Sequence, residues 1–91
     1  METRPFINTT ERLAEVVAEA RHENGWTQAE LARRAGVGRQ FISDLEGNHP
    51  RAEIGKVLAV LQTLGLSPRA VPVRPDYEFD ADGQLKEQFR G

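Results

Sequence analysis

The chain has 91 residues, 29% of them charged and 38% hydrophobic, with a formal net charge of −2, which bounds it to one small domain with little left over for a second. It has no cysteine and two histidines, His22 and His49, an inventory that excludes disulfides, thiolate zinc sites and a cysteine nucleophile and leaves no catalytic residue, metal or cofactor to expect. No apolar run approaches the roughly 20 residues of a membrane-spanning helix, and the opening Met1-Glu2-Thr3-Arg4-Pro5 lacks the basic-then-apolar layout of a signal peptide, so a cytoplasmic address is expected.

Residues 8–24 read as an amphipathic helix, with Leu13, Val16, Val17 and Ala20 on one apolar stripe. Asn8 and Glu11 form one candidate capping box, Thr9 is a rival N-cap, and Asn24-Gly25 supplies the stop. Thr27-Gln28-Ala29-Glu30 is a stronger start signal, in which Thr27 caps and Glu30 reaches back. The helix it opens runs from Gln28 to Ala35 and ends at Gly36. A third helix, Arg39 to Glu46, turns Ile42 and Leu45 inward, with Gly38 at its cap position and Gly47 as its stop. After the loop Asn48-His49-Pro50, the residues Ile54, Val57, Leu58, Leu61 and Leu64 mark a fourth helix closed by Gly65. Two-turn helices are unstable alone in water, so the four must share one core. The expectation is an all-α domain over roughly residues 8–66.

Beyond Ser67-Pro68 the character changes. Ala70-Val71-Pro72-Val73 is a short extended run in which Val71 and Val73 point to the same face. A lone strand cannot satisfy its own backbone. It is therefore expected to pair with the same strand of a second subunit across a two-fold axis. Residues 76–82 hold four acidic side chains and no basic one, and residues 82–89 can form a final helical turn or two that pairs Leu85 with Phe89. The expected organisation is a helical domain at 1–68, a dimerising strand at 69–75 and a flexible acidic tail at 76–91.

Residues 27–47 place two short helices around a tight turn, Gly36-Val37-Gly38. This is the layout in which the second helix enters the DNA major groove and the first crosses the backbone. Ala32 is small enough for the second helix to pack close behind it, Gly36 permits the turn, and Val37 and Ile42 fasten both helices to the core. Arg39, Gln40, Ser43 and Asp44 stay outward; arginine pairs bidentately with guanine and glutamine with adenine. Asp44 accepts from a cytosine or turns sideways to Arg33 or another cation. The negative total charge argues against a nucleic-acid ligand, yet residues 27–56 carry five basic against four acidic side chains. That local excess is small, so non-specific binding should be weak and salt-sensitive.

The run Gly25-Trp26-Thr27-Gln28-Ala29-Glu30-Leu31-Ala32-Arg33-Arg34-Ala35-Gly36-Val37, followed by Ile42-Ser43, Leu45-Glu46-Gly47 and residues 58–66, resembles the XRE (phage-repressor-like) helix-turn-helix family. Within it the chain is most similar to the HipB-like antitoxins, over about residues 9–73. The resemblance implies a lambda-repressor-like bundle, a homodimer on double-stranded operator DNA, and a HipA-like kinase toxin as partner in an autoregulated operon of a bacterial, nucleoid-associated protein. It also implies that Gln28 holds a phosphate beside the backbone N–H groups of its helix. The family often has Ser or Thr where this chain has Gly38, which weakens the cap and lets the backbone approach DNA. The expected DNA-binding set is Thr27, Gln28, Gly38, Arg39, Gln40, Ser43, Asp44 and Asn48; the dimerisation set is Val71 and Val73.

Plainer readings stay open beside these. Residues 27–47 would also suit a helical hairpin without a ligand, Trp26 a core anchor rather than a binding aromatic, and the tail a solubilising segment rather than a toxin-binding one. Glu11, Glu15, Glu19 and Glu23 form an acidic stripe at i, i+4 spacing, either a solvated face or a dock for a basic partner. For the whole chain, the alternatives are a stand-alone repressor of the same family and an interaction-only helical module.

Overall fold

Threonine at helix starts and glycine at helix ends set most of the boundaries. The computed structural model describes residues 6–70, Pro72, and the segments Glu78–Phe79 and Leu85–Lys86. Helix α1 spans Thr10–Glu23 and begins where Thr9 Oγ1 accepts a hydrogen bond from the Arg12 amide at 3.0 Å. Thr9, not Asn8, is its cap. Helix α2, Gln28–Ala35, starts in the same way under Thr27, whose Oγ1 accepts from the Glu30 amide at 3.0 Å. Helix α3, Arg39–Glu46, follows Gly38, and α4, Ile54–Thr63, follows Glu53, both without a side-chain cap.

Three helices share one kind of ending. The amides of Trp26, Val37 and Leu66 donate to the carbonyls of Arg21, Ala32 and Leu61 at 3.2, 3.0 and 2.8 Å, each immediately after a glycine with positive φ, namely Gly25, Gly36 and Gly65. This closure satisfies a terminal carbonyl and throws the next residue back onto the helix it leaves. In each case that residue is apolar and packs against the core. Helix α3 stops at Gly47 as expected, but by a different closure. Gly47 has φ −91° and Asn48 takes the left-handed conformation at 71°, which asparagine tolerates better than most residues. Gly47 is instead a point of close approach, since a Cβ there would lie 3.3 Å from the Ser43 carbonyl oxygen.

The core is centred on Val17, Leu31, Ile42, Leu45 and Val60, all fully buried, joined by Ala32, Val57, Leu61 and Leu64. Helix α1 packs on α3, and α2 packs on both α3 and α4. Buried Ala32 permits the close α2–α3 approach, as its size suggested. On α1 the buried face is Ala14, Val16, Val17 and Arg21, with Leu13 and Ala20 only half-buried. The inward face of α4 also differs from the expected one: Val57, Val60, Leu61 and Leu64 point in, while Ile54 is 67% and Leu58 45% exposed. Val57, Val60, Leu61 and Leu64 already complete an i, i+3, i+4, i+7 stripe, and Leu58, one residue on from Val57, projects about 100° away from it.

Two short strands, β1 (Glu78–Phe79) and β2 (Leu85–Lys86), pair antiparallel with Glu78 opposite Lys86 and Phe79 opposite Leu85. Leu85 and Lys86 are thus extended rather than part of the helical turn expected over 82–89. Val71 and Val73, the expected dimerisation residues, lie outside the described residues, as does most of the 76–91 tail.

The turn between α2 and α3 makes a sharp contrast testable. Gly36 sits at φ 73°, whereas Gly38 is extended at φ −78° with open space where a Cβ would go. Gly36→Ala should lose about 1–2 kcal/mol in urea unfolding from left-handed strain, while Gly38→Ser should gain a few tenths of a kcal/mol by supplying the missing cap.

Candidate nucleic-acid interface

Helix α3 divides cleanly. Ile42 and Leu45 are sunk in the core, and on the other side Arg39, Gln40 and Asp44 are exposed with Ser43 half-buried. Arg39 takes part in no ion pair among the described residues. Gln40 Nε2 donates to Asp44 Oδ1 at 2.8 Å, one helical turn on. Asp44 therefore turns along its own helix rather than to Arg33, because Arg33 is bonded to Glu30.

At the start of α2 the capping box is only half-formed. Glu30 does not reach back to Thr27; its Oε2 accepts from Arg33 and, at 2.6 Å, from Arg34 Nε. The hydrogen bond from Arg33, with that from Arg34, holds the Glu30 carboxyl below the usual carboxylate range. The Arg34 guanidinium lies 4.5 Å from the centroid of the Trp26 ring, and Trp26 itself packs on the core. That makes Trp26 an anchor of the helix start. Two of the five local basic groups are thus engaged with one carboxylate.

Beneath this surface lies a buried ion pair absent from the expected site. Arg21 Nε and Nη2 donate to Glu46 Oε2 and Oε1 at 2.7 and 3.0 Å, and both side chains are about nine-tenths buried. Arg21 Nη1 donates to the Trp26 carbonyl at 2.8 Å, and Nη2 approaches His22 Nε2 at 3.2 Å. Glu46 Oε1 also accepts from Gln28 Nε2 at 3.1 Å. One carboxylate thus joins the end of α1, the start of α2 and the end of α3. Burial pushes the Glu46 carboxyl up, but hydrogen bonds from Arg21 and Gln28 outweigh it and hold it below the usual range; hydrogen bonding to Glu46 raises Arg21 in turn.

A sequence signal for this pair exists. Arg21 lies four residues after buried Val17, and Glu46 four after buried Ile42, so each extends an apolar stripe with a charge. Opposite charges on two inward stripes are natural partners, because an unpaired charge there would be costly.

Of the expected DNA-binding residues, the fold places Arg39, Gln40, Ser43 and Asp44 on one helix. Thr27 and Gln28 lie at the start of α2, Gly38 lies in the turn, and Asn48 lies just past α3. The profile of the helix-turn-helix family matches residues 17–71. The chain belongs to that family, in its XRE-type branch. An uncharacterized HTH-type transcriptional regulator of Sinorhizobium fredii, y4mF, is 52% identical over 61 residues, 67% of this chain and 80% of that protein. Antitoxin HipB of Escherichia coli is 36% identical over 61 residues, 67% of this chain and 69% of HipB. A solved HipA-HipB-O2-O3 complex contains a chain that matches with a TM-score of 0.71 at 31% identity, over 78% of this chain and 100% of that one. These helix-turn-helix relatives are a regulator and an antitoxin rather than enzymes. Among the described residues no acidic or histidine cluster could hold a metal, and no helix is long and apolar enough to cross a membrane.

The ion pair sets a stability prediction. Glu46→Ala leaves Arg21 buried and unpaired and should cost about 3 kcal/mol in chemical unfolding, the lower end for breaking a buried pair. Because the folded pKa of Glu46 is lowered, its contribution is complete above the usual value near 4.5 and is lost as pH falls through the lower folded value. Melting temperature measured from neutral pH downward should show that acid loss in the wild type, and Glu46→Ala should lack this component.

Proposed function

We propose that this chain is a dimeric, sequence-specific repressor that serves as the antitoxin of a HipBA-like pair, autoregulates its operon and binds a kinase-type toxin. It would work in the bacterial cytoplasm, associated with the nucleoid through its operator. The observation that carries the DNA reading is α3, whose inner face is locked into the core while Arg39, Gln40 and Asp44 stand exposed in one rank. In this reading α3 lies in the major groove. Arg39 pairs with a guanine, Gln40 with an adenine, and Ser43 and Asp44 complete the base-edge set. Thr27 and Gln28 seat the start of α2 against a phosphate, where unpaired backbone N–H groups favour an anion. Gly38 lets the turn approach the duplex, and Asn48 touches the backbone beyond α3.

A dimer suits such sites, since it can set two recognition helices roughly 34–36 Å apart to read successive major grooves. In this proposal Val71 and Val73 of two subunits form a two-stranded ribbon across the two-fold axis. The toxin partnership rests on likeness to HipB, a protein solved in a HipA-HipB-O2-O3 complex. A second reading, a stand-alone regulator, is favoured by the higher identity to y4mF, 52% against 36% for HipB. A kinase-like reading frame beside the gene supports the antitoxin reading, and its absence supports the regulator.

Gel shifts on the upstream promoter test the groove assignment. Arg39→Ala and Gln40→Ala should each weaken operator binding by about 1–3 kcal/mol with the fold intact, whereas Gln28→Ala should weaken binding to all sequences alike. Operator binding unchanged in both α3 variants would refute it. Truncation after Pro68 should shift the protein toward monomer in light scattering and sharply lower operator affinity; a truncated chain that stays dimeric would move the interface onto the helices.

A further inference from the structure

We propose that Glu46 is a positioning residue for DNA binding, acting through Gln28; the inference rests on the DNA-binding reading above. Gln28 is the first residue of α2, and its Nε2 lies 3.1 Å from Glu46 Oε1. A carboxylate only accepts, so the nitrogen of the amide must face Glu46 and the oxygen must face away. One Nε2 hydrogen is used by Glu46, and the second remains available for an anion. A glutamine held in this way loses its rotamer freedom when the chain folds rather than when DNA arrives, which is how preorganisation strengthens binding.

The carboxylate that does the holding is itself fixed. Both of its oxygens accept from Arg21, at 2.7 and 3.0 Å, and Arg21 is tied to the Trp26 carbonyl at 2.8 Å. Arg21 also balances the negative charge that would otherwise repel a phosphate at the same helix start. Glu46 continues the inward stripe of α3 and its side chain is only 9% exposed, so its influence on DNA has to pass through a neighbour. Gln28 is that neighbour.

A plain fold-stabilising role for Glu46 makes a different prediction in a mutant cycle. Arg21 and Glu46 are replaced together by Met, which removes the pair without leaving an orphan charge. This change is combined with Gln28→Ala, and binding of a random-sequence duplex and of the upstream promoter duplex is followed by fluorescence anisotropy. Gln28→Ala and the double Met protein should each bind about tenfold more weakly, the scale of one hydrogen bond to a charged group. The triple variant should bind no more weakly than either. Losses that multiply to about a hundredfold in the triple variant, or a double Met protein that binds like the wild type, would overturn the proposal. A measurement on the wild type alone covers the case in which the double Met protein does not fold: NMR relaxation of the Gln28 side-chain amide should show backbone-like order, and free reorientation would overturn the proposal. A wild-type protein that binds neither duplex would bring down the DNA reading, and the positioning role with it, even with an ordered amide.

Discussion

The arrangement depends on one buried ion pair. Arg21 comes from the last turn of α1 and Glu46 from the last residue of α3, and the Trp26 carbonyl and Gln28 amide complete their hydrogen bonding. Two-turn helices have almost no stability of their own, so the pose of α3 relative to α2 is set by what holds them together. Apolar packing through Ile42, Leu45 and Leu31 supplies most of the cohesion but little direction. The ion pair adds direction where the ends of α1 and α3 meet the start of α2, because a bidentate guanidinium–carboxylate contact has one good geometry, and it reaches the DNA-facing side through Gln28.

Local chemistry was readable from the amino-acid order, and long-range chemistry was not. The start under Thr27 and the stops at Gly25, Gly36 and Gly65 each depend on residues within a few positions of one another, so they could be named in advance, whereas at α1 Asn8 and Thr9 both qualified and the structure takes Thr9. Glu30 shows the limit of that approach: two arginines on its own helix compete for the carboxylate that a capping box would use. The inward face of α4 is a second limit, since Ile54 and Leu58 fit a helical stripe as well as Val60 does, and packing against the shared core, with α2 the main neighbour, decides among them.

The candidate site follows the same division. Arg39, Gln40 and Asp44 were identifiable because the apolar positions Ile42 and Leu45 define what must face out. The support beneath them is harder to read, for Arg21 and Glu46 stand 25 residues apart and only their places at the ends of two inward stripes mark them as partners. The acidic stripe on α1 is exposed along its length, and Glu15 within it is paired with Arg12 at 2.9 Å, so it is not a uniform row of free carboxylates.

Trp26 is the only tryptophan in the chain. Its ring is half-buried against the core beneath the Arg34 guanidinium, and its carbonyl is the third point of attachment for Arg21. The indole therefore sits at the junction of α1 and α2, next to the clamp rather than in a remote part of the core. Its emission is a built-in optical gauge of that junction. A change in emission that precedes loss of helical circular dichroism would report opening at this junction, and a coincident change would report loss of the whole fold, with no label attached to the protein.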